Sequence, residues 1–241
     1  MGVTAAVMQP YLFPYIGYFQ LINACDVFIS LDNVQYVKRR WMNRNRIIVD
    51  RRASAAGFFT FPVVSAPQQT NMCDTYYSDG VTEAQERLLK TLSMCYAGAP
   101  YLDAAVELLR EAFSFPDRNL ARFNLNSLRV ICDYLGVKTE FATASELLPA
   151  CEGGDATERI LNLCKAVNAS TYINLPGGEE LYSAAQFASW GIDLRFMDSA
   201  PIAEISYGDE WRLSIIDCLA RFSPDEIRAF LDRAALKAGG L

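Results

Sequence analysis

Residues 3–31 read VTAAVMQPYLFPYIGYFQLINACDVFISL. Val3 to Met8 is a short apolar run of the kind that forms a buried strand. Residues 17–24 read as a helix with Phe19, Ile22 and Ala24 available to a core, and Asp26 to Leu31 is a second strand candidate. Strand, helix and strand in this order predict a βαβ unit with parallel strands. In such sheets ligands sit at the carboxyl ends of the strands. Two stretches fall there: the turn Gln9-Pro10-Tyr11-Leu12-Phe13-Pro14-Tyr15, and residues 32–40 after the second strand. The turn is denser in rings and prolines than a plain connection needs. It reads as a stiff aromatic wall on which a base or sugar face stacks.

Working outward, Arg46 to Val49 and Phe58 to Val64 predict a hairpin, and residues 65–80 are turn-rich. Helices are expected over 82–96, 100–113 and 117–135, with Asp117 as an N-cap and Gly136 as a C-cap. The last third alternates again: strand 137–145, helix 157–167, strand 170–175, helix 178–191, strand 192–198, then helices 212–222 and 224–236. The pattern predicts one α/β domain over residues 1–241. Its mostly parallel sheet is flanked by helices, with a helical subdomain at about 80–136 inserted after the N-terminal βαβ and hairpin region.

Of the 241 residues, 51% are hydrophobic and 21% charged, the balance of a globular chain with a sizeable core. No apolar run has the length of a membrane span, and no basic region followed by a long apolar stretch opens the chain, so a cytoplasmic protein is expected. The seven cysteines (25, 73, 95, 132, 151, 164 and 218) form no C-x-x-C pair and read as reduced thiols. The chain contains no histidine. That excludes Ser-His-Asp and Cys-His machinery and any His-containing zinc site. Neither metal nor cofactor is expected. Acid-base chemistry falls to Asp, Glu, Tyr, Lys, a thiol or the substrate's own groups.

The net charge is −6, yet residues 38–52 hold seven of the 22 basic residues and one acid. Guanidinium forks suit phosphate and carboxylate. Lys38, Arg39, Asn43, Arg44, Asn45 and Arg46 are therefore candidate phosphate-binding residues. In an extended chain Asn43, Asn45 and Ile47 share one face and Arg44 and Arg46 the other. The acidic overall balance argues against nucleic acid as the partner. Asp32 is the candidate base, with Tyr36 as the alternative, and Gln35 is a candidate ligand-orienting group. Pro176-Gly177-Gly178 after a strand offers backbone N–H groups to an anion, with Asn174 beside it. Ser214 and Asp217 share a helical face and read as structural polar groups.

Several of these blocks belong together. MQPYLFPYIGYFQLI, then D-x-F-x-x-x-D-x-VQYVKRxWxNRNRI, then YINLPGGxELY and LSIIDxL resemble the WbqC-like protein family, from about residue 5 to residue 230. The resemblance implies a bacterial protein tied to O-antigen or related surface-polysaccharide (lipopolysaccharide) synthesis, and glycine or other aminoacyl transfer to an amino sugar. The motif positions carried over are Gln9, Pro10, Pro14, Gly17, Tyr18, Asp32, Gln35, Tyr36, Lys38, Asn43, Arg44, Asn45 and Arg46. Toward the C-terminus they are Asn174, Gly177, Gly178, Tyr182, Ser214 and Asp217. Arg40 departs from the family pattern, where a small residue is common. The opening is also similar to that of nucleotidylyltransferase-type proteins, with Tyr15-Ile16-Gly17-Tyr18 where those carry H-x-G-H.

The expected function is therefore acyl or aminoacyl (glycyl) transfer to the amine of a nucleotide-linked amino sugar. Its partners would be that nucleotide sugar and an activated acyl donor, a carrier thioester or an adenylate. Nucleotidyl or adenylyl transfer is the alternative enzyme, and a non-catalytic binding protein of a polysaccharide assembly complex is the alternative from another class. The turn, including Gln9, Pro10, Tyr11, Tyr15, Gly17 and Tyr18, is expected to share one pocket with residues 32–36 and the arginine band.

Overall fold

The computed structural model describes residues 2–50, 53–149, 155–198, 203–206 and 212–239. Arg51, Arg52 and Cys151 lie outside the described residues. The opening stretch forms β1 (Val3–Met8), α1 (Ile16–Asn23) and β2 (Val27–Ser30). β1 and β2 pair in parallel, with Ala5 opposite Val27 and Met8 opposite Ser30. Residues Ile16 to Ile22 of α1 are all buried, which is why the helix is apolar all round rather than amphipathic.

The hairpin is β3 (Arg44–Asp50) against β4 (Ala55–Thr60), antiparallel, with Arg46 opposite Phe58. Three helices follow: α2 (Val81–Cys95), α3 (Leu102–Phe113) and α4 (Leu120–Tyr134). Their apolar faces join the same core as α1, and α2 packs against both strands of the hairpin. Asn119, not Asp117, caps α4: its side chain accepts from the Arg122 N–H. Asp117 accepts from the Asn119 N–H instead and so orients the cap. Gly136 ends the helix at φ +70°, where glycine alone is unstrained.

β5 (Glu140–Thr143) runs directly into the short α5 (Ala144–Leu147), and α6 (Ala156–Ala166) leads to β6 (Ala169–Asn174). The six-stranded sheet is completed by β7 (Asp193–Asp198) and β8 (Ala235–Ala238), in the order β5-β2-β1-β6-β7-β8. All its pairings are parallel except β7 with β8. The two faces alternate along each strand. Ala6, Phe28 and Ile173 point into the core under α1, and Val7, Ile29 and Tyr172 into the core under α6 and α7 (Ala184–Ser189).

Two expected helices are shorter than the pattern suggests. The helix expected over 178–191 is reduced to α7, preceded by a 3-10 turn at Pro176–Gly178. Between them the Tyr182 ring packs edge-on against Tyr172 and Phe187, which holds the chain out of a continuous helix. The last helix, α9 (Pro224–Asp232), follows α8 (Ile215–Arg221) and opens with a capping box between Ser223 and Glu226. It stops at Asp232 because residues 235–238 complete a sheet edge on β7, and the Gly239 N–H donates to the Leu194 carbonyl. Ladder hydrogen bonds override the helix propensity of Ala-Ala-Leu-Lys-Ala. No described helix is long and apolar enough to cross a membrane.

Candidate functional site

The chain moves from β1 to β2 on one side and from β6 to β7 on the other. β1 and β6 are neighbours, so the sheet has its topological switch point between them. A cleft of about 590 Å³ opens at the carboxyl ends of these two strands. Val7, Met8 and Gln9 reach it from β1, Leu31 from the end of β2, and Asn174 from β6. The turn contributes Tyr11, Pro14 and Tyr15; the loop before β3 contributes Trp41, and β3 contributes Asn45. Ile160 on α6, the segment Leu175 to Gly178, Leu181, Tyr182 and Arg212 close the remaining sides. Volume and composition are those of a small-molecule site.

The turn is held carbonyl by carbonyl. The Tyr18 hydroxyl donates to Gln9 O at 2.6 Å, and Asn124 Nδ2 to Pro10 O at 2.8 Å. Asn45 Nδ2 donates to Leu12 O at 3.0 Å and to Phe13 O at 2.8 Å. Ser214 Oγ adds a bond to Phe13 O at 2.7 Å, and the Ile215 N–H one to Pro14 O at 2.8 Å. Phe13 sits at φ +43°, a conformation a bulky L-residue adopts only under constraint. These donors supply the constraint. Gly17 is required by the same turn: a Cβ there would come within 2.4 Å of the Tyr15 ring.

Gln9, Tyr11, Tyr15, Asn45, Asn174, Gly177 and Gly178, all read as binding residues from the sequence, line the cleft together. Pro10, Gly17 and Tyr18 stand behind it as supports. Tyr11 donates to Gln9 Oε1 at 3.2 Å. Burial pushes the Tyr11 and Tyr15 phenols above their ordinary range, opposed by Arg40 at Tyr11 and by Arg212 at Tyr15. Both hydroxyls are therefore protonated at neutral pH and offer hydrogen bonds rather than base catalysis. Asn174 Oδ1 accepts from the Leu175 N–H, and its Nδ2 lies over Gly178, where a Cβ would meet it at 2.6 Å.

The structure separates other members of the expected pocket from this cleft. Asp32 is buried, and its carboxylate accepts from Ser145 N at 2.9 Å and from Ser145 Oγ at 2.6 Å. It joins the end of β2 to α5 and does not line the cleft. Tyr36 is also outside the lining, its backbone N–H bonded to Thr70 O. Gln35 Nε2 donates to Gln68 O. Lys38 and Arg39 are exposed, and Asn43 Nδ2 donates to Phe61 O at the base of the hairpin. The reason is the two-residue period of β3. It turns Asn43 and Asn45 inward and puts Arg44 and Arg46 on the opposite face.

On that face Arg44 lies over the Phe58 ring, 4.4 Å from its centroid. Phe58 in turn stacks on Trp41, centroids 6.1 Å apart at 30°. Trp41 is the member of this ladder that reaches the cleft, so the arginine band borders the site through a ring instead of lining it. Among the described residues the cationic side chain in the lining is Arg212. Sequence reading missed Arg212 and Ile160 because neither falls in a recognisable local pattern. Trp41 was visible within R-x-W-x-N-R-N-R but carried no distinct chemical signal.

The remaining motif residues are structural. Ser214 caps α8 by accepting from the Ile216 N–H, besides clamping the turn. Asp217 is buried and accepts from the Tyr96 hydroxyl and from Arg221 Nη1 at 2.8 and 2.9 Å.

Comparison with known proteins agrees with these motifs. The model of the WbqC-like protein family matches residues 9–229. An uncharacterized protein of Mycobacterium tuberculosis is 28% identical over 230 residues, which covers 92% of this chain and 96% of that one. No solved structure matches the chain at a significant level.

Proposed function

The chain belongs to the WbqC-like protein family, and on that premise we propose that it is a transferase of surface-polysaccharide synthesis. The cleft binds a nucleotide-linked amino sugar, and an acyl or aminoacyl group passes from an activated donor to the sugar amine. The amine nitrogen attacks the donor's carbonyl carbon, a C–N bond forms, and the bond to the carrier's sulfur or phosphate oxygen breaks. With no imidazole in the chain, and with Asp32 and Tyr36 outside the lining, the departing thiolate or phosphate takes the amine's proton. The phenols of Tyr11 and Tyr15 are held protonated by burial, and Tyr11 exchanges its 3.2 Å bond to Gln9 Oε1 for one to the carbonyl oxygen as charge develops on it.

The observation that carries this reading is the composition of the cleft at the switch point. Rings of Tyr11, Tyr15 and Trp41 suit a base or sugar face, the amides of Gln9 and Asn174 suit sugar hydroxyls, and Arg212 suits a phosphate. Gly178 leaves room for the Asn174 amide in the cleft. The test is incubation of the purified protein with nucleotide-linked amino sugars and candidate thioester or adenylate donors. Mass spectrometry should detect a new amide. If no donor gives one, and pyrophosphate release from a nucleoside triphosphate appears instead, nucleotidyl transfer replaces this reading.

A further inference from the structure

Val7 and Ile160 are each 3% exposed and still line the cleft, so they present core side chains to it. Leu31, just past β2, packs against the same core and extends that surface. The result is an aliphatic floor continuous with the core under α6 and α7. The polar and charged groups, Gln9, Asn174 and Arg212, belong to the opposite character: they suit the anionic, hydroxylated part of a ligand. A cleft that combines both characters complements an amphipathic molecule with its phosphates at Arg212.

Resting on the acyl-transfer reading above, we infer that the floor formed by Val7, Leu31 and Ile160 receives the transferred group, and that this group is an uncharged acyl chain of three or more carbons rather than glycyl. A glycyl group carries an ammonium at neutral pH. Placing it against aliphatic side chains strips its water without returning a partner. A propanoyl group has the same number of heavy atoms and gains from the same contact. Each further methylene on the floor adds about fourfold in affinity, the equivalent of roughly 0.8 kcal/mol per buried CH₂.

The test uses reaction products as probes, so that it does not depend on the donor. Uridine-diphosphate-linked amino hexoses N-acylated with acetyl, propanoyl, pentanoyl or glycyl are titrated calorimetrically into the whole protein. Propanoyl should bind at least tenfold tighter than glycyl, and affinity should rise from acetyl to pentanoyl. Equal affinity along the series, tighter binding of glycyl, or no binding by any member overturns the inference. Leu31 is only half-buried and tolerates change. Leu31→Asp should reverse the preference toward glycyl. Leu31→Phe, which shortens the floor, should reduce pentanoyl affinity while leaving acetyl within twofold; unchanged selectivity in both folded variants also overturns it. The two readings fail separately. A propanoyl preference without amide formation from any donor leaves the subsite standing and removes the transferase. Formation of a glycyl amide, with glycyl bound as well as propanoyl, does the reverse.

Discussion

A non-glycine residue at positive φ is destabilised by roughly 1–3 kcal/mol unless its surroundings impose the conformation. Phe13 meets that condition through its own carbonyl, which accepts from both Asn45 and Ser214. Two motif residues far apart in sequence thus act on one backbone group at the wall of the cleft. Asp32 shows the other side of the same lesson. A carboxylate after a parallel strand reads as a ligand-orienting group, but whether it faces the cavity depends on a partner 113 residues away, Ser145, which no local pattern announces. Asp32→Asn keeps one acceptor for the Ser145 N–H. It should lower stability by about 1–2 kcal/mol in urea unfolding and leave the affinity for a nucleotide-linked amino sugar within twofold. A hundredfold loss of turnover at unchanged stability would instead identify Asp32 as the base.

At the scale of elements, the βαβ opening was legible because β1 and β2 are covered on both faces and therefore read as unbroken apolar runs. The hairpin's face assignment was legible too, from its two-residue period, although the cleft lies on the asparagine side and not the arginine side. What was not legible is β8. Its four residues are all exposed and have no pattern of their own, so only the bonds to β7 make them a strand. The 3-10 turn between β6 and α7 is an intermediate case. Its glycines were visible, but the need for them comes from tertiary contact. Gly178→Ala places a methyl group within 2.6 Å of Asn174 Nδ2, so the amide must swing away from its position in the cleft. The variant should fold with stability changed by less than about 1 kcal/mol and lose at least tenfold in ligand affinity by calorimetry. Gly177→Ala is the control: no atom lies within 4 Å of its added Cβ, so affinity should be retained. Equal affinity in both variants would show that Asn174 does not touch the ligand.

Across the whole molecule, the parts that build the cleft are joined by buried polar chains that span the sequence. The Ile48 N–H donates to the Tyr96 hydroxyl at 3.0 Å, and that hydroxyl donates to Asp217 at 2.8 Å, so hairpin, α2 and α8 share one line of hydrogen bonds. Asp217 and Arg221 complete it with an ion pair. Burial is the largest influence on Asp217 and raises its carboxyl above the usual range, although Arg221 and Tyr96 oppose it. The folded state therefore holds the Asp217 proton more tightly than the unfolded chain, whose aspartates titrate near 3.9. Below that pH the carboxyl is protonated in both states and its burial carries no charge penalty. As pH rises, the unfolded chain ionises first and the folded state loses relative stability until its own carboxyl has titrated. Asp217→Asn removes this dependence while keeping an acceptor for Tyr96. Urea unfolding of both proteins between about pH 3.5 and 7 should show the native chain losing ground to the asparagine variant as pH rises, then running parallel to it once the folded carboxyl is ionised. A native chain that instead gains on the variant over the same interval would mean that the guanidinium of Arg221, one turn along the same helix, outweighs burial.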